Sequence, residues 1–194
     1  MKTINKFTYT KKLIESDLYR YYGVISIKVF LKSYFLIPGF NYMVWFRIVN
    51  TWNNIFFKYI LYRKSIRFGI QIRRGTNIGK GCYMGHFGTI VISGSSIIGE
   101  NCNISQGVTI GFSSRGKNKG YPKIGNNCYI GPGAKLIGNI CIGDNVAIGA
   151  NAVVTNDVPN DAVVAGIPAK ILSNKGSTDY ILNKVENIIT RKNI

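Results

Sequence analysis

Residues 124–154 read IGNNCYIGPGAKLIGNICIGDNVAIGANAVV, and this stretch decides the fold. An aliphatic residue returns at every sixth position, at Ile124, Ile130, Leu136, Ile142, Ile148 and Val154. An α-helix repeats near 3.6 residues and a half-buried strand at two, so neither alone explains a period of six. The period predicts a solenoid of short strands joined by tight turns, with one aliphatic side chain per repeat in a narrow core.

The same ladder extends upstream with two breaks in its register. Apolar residues keep the step of six within two further runs, Ile72, Ile78 and Met84, then Ile92, Ile98, Ile104 and Ile110. Eight residues separate Met84 from Ile92, around residues 85–88, and fourteen separate Ile110 from Ile124. A regular coil breaks register where something other than core packing is required. We therefore look for a functional site at the two breaks.

The repeated unit of an aliphatic residue, glycine, two variable residues and a small residue resembles the repeat of the hexapeptide-repeat acyltransferases. Met84-Gly-His-Phe-Gly-Thr-Ile-Val, Ile104-Ser-Gln-Gly-Val-Thr-Ile-Gly and Tyr121-Pro-Lys-Ile-Gly resemble the serine acetyltransferases within that family. The resemblance implies a mainly β fold, a left-handed parallel β-helix with three strands per coil, assembled as a homotrimer. We expect an N-terminal helical segment at residues 1–69, the β-helix at 70–172 and a C-terminal helix at 173–194, the last from an apolar stripe that follows Ser177.

The charge is uneven along the chain. There are 25 basic and 8 acidic residues, and residues 1–69 hold 12 of the basic and 2 of the acidic ones. Such a field favours anionic partners. The first segment is interpreted either as a cap on the first coil or as a surface in peripheral contact with an anionic membrane. Without a nucleic-acid motif we expect no nucleic-acid partner. We expect a cytoplasmic protein, because the cysteines suggest no disulfide framework. The longest uncharged stretch is too short to span a bilayer.

His86 is the one histidine of the chain, and it lies at the first break with glycines at positions 85 and 88. Transfer of an acetyl group to a hydroxyl requires a base whose pKa lies near neutrality, which histidine has. The resemblance places the catalytic histidine of the serine acetyltransferases on His86. It implies direct transfer without an acetylated protein residue. Groups near Ser105 and Gln106 would stabilise the oxyanion.

The acceptor site departs from the family pattern at three positions. The resemblance implies an aspartate at Gly85, another at Gln71, and a histidine at Tyr121. Because a free amino acid's ammonium group would need those carboxylates, we expect a sugar hydroxyl of a capsule or other surface polysaccharide as acceptor. Tyr121, Gln71 and Gln106 are the acceptor-site candidates. The alternatives are a serine O-acetyltransferase of cysteine biosynthesis and, in another class, a catalytically silent oligomeric scaffold.

The donor implied by the resemblance is acetyl-CoA, bound in a groove between subunits. The expected contacts are the backbone of Gly131, Pro132, Gly149 and Ala150 along the pantetheine arm, with Thr155 and Lys170 at the nucleotide end. Lys170 is suited to pair with phosphate. Arg115, Lys117 and Lys119 either close over the donor or form a solvated loop. The four cysteines make no CxxC pair, so we expect small core residues and no metal site.

Overall fold

The structure is a computed structural model that describes residues 5–185. It begins with four helices, α1 (Lys6–Tyr22), α2 (Ile27–Leu36), α3 (Pro38–Trp52) and α4 (Ile55–Phe68). Gly23 and Gly69 end α1 and α4 in the left-handed conformation, which glycine adopts without a Cβ penalty. Pro38 opens α3 at a position where the missing N–H costs nothing. Within the described residues no helix combines the length and apolarity that crossing a bilayer requires.

Short strands follow the helices and run to residue 173. They are β1 (Ile70–Ile72), β2 (Asn77–Ile78), β3 (Ile90–Ile92), β4 (Ile97–Ile98), β5 (Asn103–Ile104), β6 (Thr109–Gly111), β7 (Lys123–Ile124), β8 (Tyr129–Ile130), β9 (Lys135–Ile137), β10 (Cys141–Ile142), β11 (Ala147–Ile148), β12 (Val153–Val154), β13 (Val163–Gly166) and β14 (Ala169–Ser173). Each strand is two to five residues long, as a six-residue repeat with its turn requires.

The strands stack into three sheets that form the faces of a prism. Sheet A is β1-β3-β6-β9-β12, sheet B is β2-β4-β7-β10, and sheet C is β5-β8-β11-β13-β14. All pairs are parallel except β13 with β14, which turns back along the edge of sheet C. The predicted fold class, a mainly β left-handed parallel β-helix of hexapeptide repeats with helices at its N-terminus, is confirmed.

The repeated aliphatic side chains fill the prism. Ile92, Ile110 and Leu136 stack from coil to coil in sheet A, and none is exposed. Glycine follows many of these positions because successive coils leave no room for a side chain. A Cβ on Gly125 would lie 2.8 Å from the carbonyl carbon of Gly143, which is closer than non-bonded atoms approach. The glycine positions of the repeat therefore follow from the close spacing of successive coils.

The helices cover the open end of the first coil. Tyr42 and Phe46 of α3 belong to the same buried cluster as Ile70 and Ile72 of the first strand. The first coil has no preceding strand to pair with, so some of its main-chain groups form hydrogen bonds with helix side chains instead. The Tyr42 hydroxyl accepts the N–H of Ile72 at 3.1 Å.

A buried ion pair completes this contact. Arg47 of α3 pairs with Asp17 of α1 at 2.9 Å, and its guanidinium also donates to the carbonyls of Ile78 and Gly79. Asp17 accepts the N–H of Cys82 at 2.8 Å. Burial alone would lower the pKa of Arg47, but attraction to Asp17 raises it. The arginine therefore stays charged.

The predicted C-terminal helix is absent from residues 173–185, where the structure has a single 3₁₀ turn at Thr178–Tyr180. Tertiary hydrogen bonds account for the difference. Arg20 donates to the carbonyl of Leu182 at 2.9 Å, Asn103 donates to the carbonyl of Tyr180, and the side chain of Asn101 accepts the N–H of Val185. These bonds occupy groups that a helix would pair internally. The remainder of that prediction, 186–194, lies outside the described residues.

The cysteine prediction holds for three of the four residues. Cys82, Cys102 and Cys128 are buried. Cys141 is exposed, because it is the outward residue of β10 and its neighbour Ile142 points into the core. The expectation that Cys141 is a core residue is wrong.

Arg47→Met should lower the free energy of unfolding by about 3–5 kcal/mol, because it leaves the Asp17 carboxylate buried without its partner. The matched control is Arg63→Met on the exposed surface of α4, which should change stability by less than about 0.5 kcal/mol. Urea denaturation at a fixed protein concentration measures both. Equal stability of the two variants would show that the ion pair does not hold the helices on the first coil.

Candidate functional site

The corner between sheets C and A, here called the C–A corner, brings several predicted site residues into one column. Tyr83 pairs with Asn103, Asn103 with Tyr129, and Tyr129 with Ala147. This register aligns the residues that follow each of them on the surface of the corner. They are Gly85-His86, Ser105-Gln106, Gly131-Pro132 and Gly149-Ala150, one pair per coil.

The column has His86 at one end, Ser105 and Gln106 in the next coil, and glycine, proline and alanine in the two coils beyond. His86 and Ala150 are exposed, and Gly131 is buried in the wall. A Cβ on Gly131 would lie 2.6 Å from the carbonyl oxygen of Ile148, so the wall there is bare backbone. Neighbouring parallel strands lie about 4.8 Å apart, so the corner offers a narrow track of about three such steps from His86 to Ala150.

The loop that carries His86 is fixed from both sides. The hydroxyl of Tyr21 accepts the N–H of Met84 at 3.1 Å and donates to the carbonyl of Met84 at 3.0 Å. Downstream, the carbonyl of Gly88 accepts the N–H of Gly107 from the next coil. Phe87 lies edge-on against Phe68 at 6.4 Å between ring centroids. Helix α1 and the second coil therefore hold the ends of the loop.

Burial raises the pKa of Tyr21 well above its usual value. The hydroxyl therefore keeps its proton and remains a donor to Met84. Helix α3 also touches this point, since a Cβ on Gly39 would lie 2.3 Å from the carbonyl oxygen of Met84. The sequence offers no sign of these contacts, because Tyr21 lies more than 60 residues from Met84.

Tyr83 is a second residue that the sequence did not single out. Its hydroxyl lies 2.7 Å from the position that a Cβ on Gly85 would take, and its ring packs on Tyr21 with 4.5 Å between centroids. A phenol therefore fills the space where a side chain at residue 85 would point. The Tyr83 hydroxyl therefore lies beside Gly85, the residue before His86.

The three acceptor-site candidates lie in three different places. Gln106 shares the C–A corner with His86, and its side-chain oxygen is buried without a hydrogen-bond partner among the described residues. Gln71 is exposed on the outer face of sheet A, paired with Val91 in the first two coils. Tyr121 lies on another corner and packs against Phe112, with 4.7 Å between the rings.

The second break is a loop at the corner between sheets A and B, here called the A–B corner. Residues 112–122 leave β6 and return to β7, and the loop is closed by paired N–H and carbonyl groups of Ser113 and Gly120. The side chain of Asn118 donates to the carbonyl of Thr155, which lies on the same corner. Tyr121 and Thr155 are therefore together, across sheet A from His86 of the same chain.

The basic donor-site candidates also lie at two separate corners of the β-helix. Lys170 is exposed on β14, paired with Ala165 one coil beyond Ala147 in sheet C, so it lies near the far end of the C–A corner. Arg115, Lys117 and Lys119 are exposed on the loop of the A–B corner. Among residues 5–185, no group of three or more His, Cys, Asp or Glu side chains could hold a metal ion.

Known proteins with similar sequences contain the same hexapeptide repeat. Residues 121–156 match the family described as bacterial transferase hexapeptide (six repeats). A serine acetyltransferase of Helicobacter pylori strain J99 is 37% identical over 142 residues, which are 71% of this chain and 83% of that enzyme. The chain belongs to the serine acetyltransferase family. A Synechococcus elongatus serine acetyltransferase is 36% identical over 143 residues, 72% of this chain, but the aligned part is only 59% of that relative's length.

Solved serine acetyltransferases show the same fold. The Neisseria gonorrhoeae enzyme in complex with serine superposes with a TM-score of 0.73 and 32% identity, covering 86% of this chain and 70% of that one. A serine acetyltransferase in complex with CoA gives a TM-score of 0.70 and 31% identity, covering 84% and 69%. The prediction of an acyltransferase is therefore confirmed at the level of the family.

The predicted sugar acceptor is wrong, as is the assignment to polysaccharide biosynthesis. These relatives are serine acetyltransferases, and one of the similar structures contains serine. The error came from treating Gly85, Gln71 and Tyr121 as missing charges. In the structure the position beside Gly85 is occupied by the Tyr83 hydroxyl, so the departure from the family pattern replaces one polar group by another.

Tyr21→Phe should loosen the loop of the candidate base, because it leaves the N–H and carbonyl of Met84 without their partner. The loss of such buried hydrogen bonds costs about 1–3 kcal/mol, so exchange of the Met84 amide hydrogen should accelerate about 5- to 150-fold. Tyr22→Phe is the control, since Tyr22 is exposed on the same helix. Exchange at Met84 that is unchanged in Tyr21→Phe would rule out the clamp.

Proposed function

We propose that this protein transfers the acetyl group of acetyl-CoA to the hydroxyl of L-serine, with His86 as general base. The observation that carries the proposal is the column on the C–A corner. An exposed imidazole stands at one end of a track of small residues, in a chain 37% identical to a serine acetyltransferase over most of its length. The column offers a base for the acceptor and a narrow groove for the pantetheine arm of acetyl-CoA.

In the proposed reaction His86 takes the proton of the serine hydroxyl as its oxygen attacks the thioester carbonyl. The carbon–sulfur bond then breaks, the acetyl group remains on the serine oxygen, and the imidazolium returns its proton to the departing CoA thiolate. The reaction is balanced without an acetylated protein residue. Imidazole as a chemical group ordinarily has a pKa near neutrality, which suits both proton transfers.

The charge that develops on the thioester oxygen needs a donor. The NH2 group of Gln106 is the candidate donor, because Gln106 lies one coil from His86 on the same corner. Preorganised donors of this kind commonly contribute 10²–10³ in rate.

The donor would lie along Gly131, Pro132, Gly149 and Ala150, where the wall is backbone or a small side chain. Lys170 is the cation near the far end of this track and would pair with a phosphate of the nucleotide. No acidic residue occurs in β14 or in the turn before it, residues 166–173, that would compete for the ammonium group.

We infer a homotrimer, the assembly that the resemblance to the hexapeptide-repeat acyltransferases implies, and the separation of the candidate residues supports a site shared between chains. Tyr121 and Thr155 lie on the A–B corner, and His86 lies on the C–A corner. A groove that uses both sets requires the A–B corner of one chain to meet the C–A corner of another. In that arrangement the loop of residues 112–122 would reach the neighbour's base.

The acceptor site would bind serine more weakly than a site with two carboxylates. The hydroxyl oxygens of Tyr83 and of a neighbouring chain's Tyr121 can accept hydrogen bonds from the ammonium group, but they lack the opposite charge of a carboxylate, so the Coulombic attraction is lost. The expected consequence is a KM for L-serine above about 1 mM, the upper end of the usual range.

The test is release of CoA thiol with L-serine as acceptor, together with detection of O-acetylserine. The wild-type protein should release thiol above the rate without acceptor. His86→Asn should lower kcat by about 10²–10⁴-fold, because the amide cannot accept the proton. Calorimetric binding of CoA should be retained in the variant, which shows that the fold is intact.

Two results would contradict the proposal. Thiol release that is the same with and without L-serine would remove serine as the acceptor. A His86→Asn variant within threefold of the wild-type kcat would remove His86 as the base.

Lys170→Ala should raise the KM for acetyl-CoA by about two- to fivefold, the value of an exposed ion pair, and leave kcat nearly unchanged. A contact remote from the reacting atoms is the same in the ground and transition states, so it changes binding alone. Lys175→Ala is the control, because Lys175 is equally exposed but adjoins Gly176, which packs against another corner at Asn145. If both variants have the wild-type KM, the nucleotide lies elsewhere.

A further inference from the structure

Lys135 places an ammonium group at the C–A corner. It is the first residue of β9 in sheet A, directly after the chain has turned that corner. Its side chain is half-buried and reaches back by one coil, where the ammonium group donates to the carbonyl of Gly107 at 2.5 Å. Gly107 follows Gln106 on the corner. The ammonium group therefore lies one coil from the loop that carries His86.

Gly107 connects this ammonium group to the loop that carries His86. The N–H of Gly107 donates to the carbonyl of Gly88 at 3.0 Å, two residues after His86. The hydroxyl oxygen of Thr89, the next residue, lies 3.9 Å from the position that a Cβ on Gly107 would take. The end of the loop, the Thr89 hydroxyl and the Lys135 ammonium group therefore meet around one glycine.

Thr89 has a backbone conformation that its own side chain disfavours. Its φ is +50°, and in the part of the chain that the structure describes no other β-branched residue has a positive φ. Such a conformation is a genuine outlier for a β-branched residue, and backbone strain of this kind clusters at functional sites. Glycine would take the same φ at no steric cost. The threonine is exposed, and its strained position points to a use for the hydroxyl.

No carboxylate near Lys135 neutralises its charge. Lys135 takes part in none of the ion pairs found within residues 5–185. Aspartate and glutamate are absent from all five strands of sheet A and from the C–A corner at residues 85–89, 105–108, 131–134 and 149–152. An ammonium group has three N–H donors, and the carbonyl of Gly107 occupies one of them. Two donors and the positive charge remain for an anionic ligand.

We propose that Lys135 and Thr89 bind the carboxylate of the acceptor amino acid. The inference rests on the proposed function, because it names the groups that orient serine while His86 takes its hydroxyl proton. The ammonium and the hydroxyl group would each donate to the carboxylate, and the charge-assisted bond from lysine is the stronger one. Serine is a short molecule, so its carboxylate can reach a cation that lies one step of about 4.8 Å along the corner from the loop.

The other cations of the region are less suited to this role. Each nitrogen of the Arg20 guanidinium already donates to an oxygen atom of the fold. Lys170 lies near the far end of the corner, where the nucleotide is proposed to bind. The basic residues of the loop 112–122 are exposed on the A–B corner. Lys135 is already held beside the corner by its bond to Gly107, and a preorganised group loses less conformational freedom when it binds.

The experiment compares L-serine with L-serinamide, which keeps the hydroxyl and amino groups but replaces the carboxylate by a neutral amide. Release of CoA thiol gives kcat/KM for each acceptor. The wild-type protein should prefer L-serine by about 10- to 100-fold, as expected for hydrogen bonds to a charged group. In Lys135→Met the preference should fall to within about threefold of unity, mainly through the KM for L-serine. A structural effect of Lys135 on Gly107 would lower both activities equally and leave the preference unchanged.

Three further variants sharpen the test. Lys135→Arg should retain most of the preference, because a guanidinium group also pairs with a carboxylate. Thr89→Val keeps the β-branched shape without the hydroxyl and should lower the preference by about 2- to 10-fold. Lys175→Met is the matched control and should keep the wild-type preference, because Lys175 is exposed and adjoins Gly176, which packs against another corner at Asn145.

The possible failures are distinguishable. If the wild-type protein releases no additional thiol with L-serine, the proposed function fails and the carboxylate site fails with it. If serine is acetylated but Lys135→Met keeps the wild-type preference, the carboxylate site alone is wrong. A raised KM for acetyl-CoA with an unchanged preference would assign Lys135 to the donor. A smaller oligomer by light scattering with an unchanged preference would make Lys135 a contact between chains.

Discussion

The open edge of the first coil is the constraint on which the rest of the structure depends. Each later coil pairs with the one before it, but the first coil presents main-chain groups that have no such partner, and an exposed edge of this kind invites aggregation. Side chains of α1 and α3 meet that edge at successive points. Ser16 accepts the N–H of Gly81, and Arg20 donates to the carbonyl of Gly81. Asp17 accepts the N–H of Cys82, and Arg47 donates to the carbonyl of Gly79.

The same capping interaction reaches the candidate active site. The last bonds along this edge run from Tyr21 to Met84, and His86 follows two residues later. The loop that carries His86, the candidate base, is therefore fixed by the contacts that close the solenoid. This arrangement explains why the register break occurs in the first coil: two extra residues can leave the stack there without disturbing a coil below.

The six-residue period predicted the solenoid and its core, because each repeat obeys the same packing rule. The period alone did not predict which corner of the prism carries each candidate site residue. The loop of residues 112–122 leaves from a different corner than His86, and only the phase of the strands reveals that. The helix predicted for residues 173–194 was wrong over 173–185, for a different reason. Its apolar spacing suits a helix, but Asn101, Asn103 and Arg20 bind its main chain, and tertiary bonds outweigh a weak local preference.

The acceptor site shows how a residue-by-residue comparison can mislead. A glycine in place of an expected aspartate suggests a lost function, yet the volume beside Gly85 is filled by Tyr83 from two residues earlier. Tyr83 in turn packs on Tyr21, the residue that holds Met84. A Cβ at position 85 would lie 2.7 Å from the Tyr83 hydroxyl, so a side chain there requires the Tyr83 ring to move. The polar surroundings of His86 are thus set by the cap as much as by the β-helix, and a site can keep its reaction while changing the groups that meet its substrate.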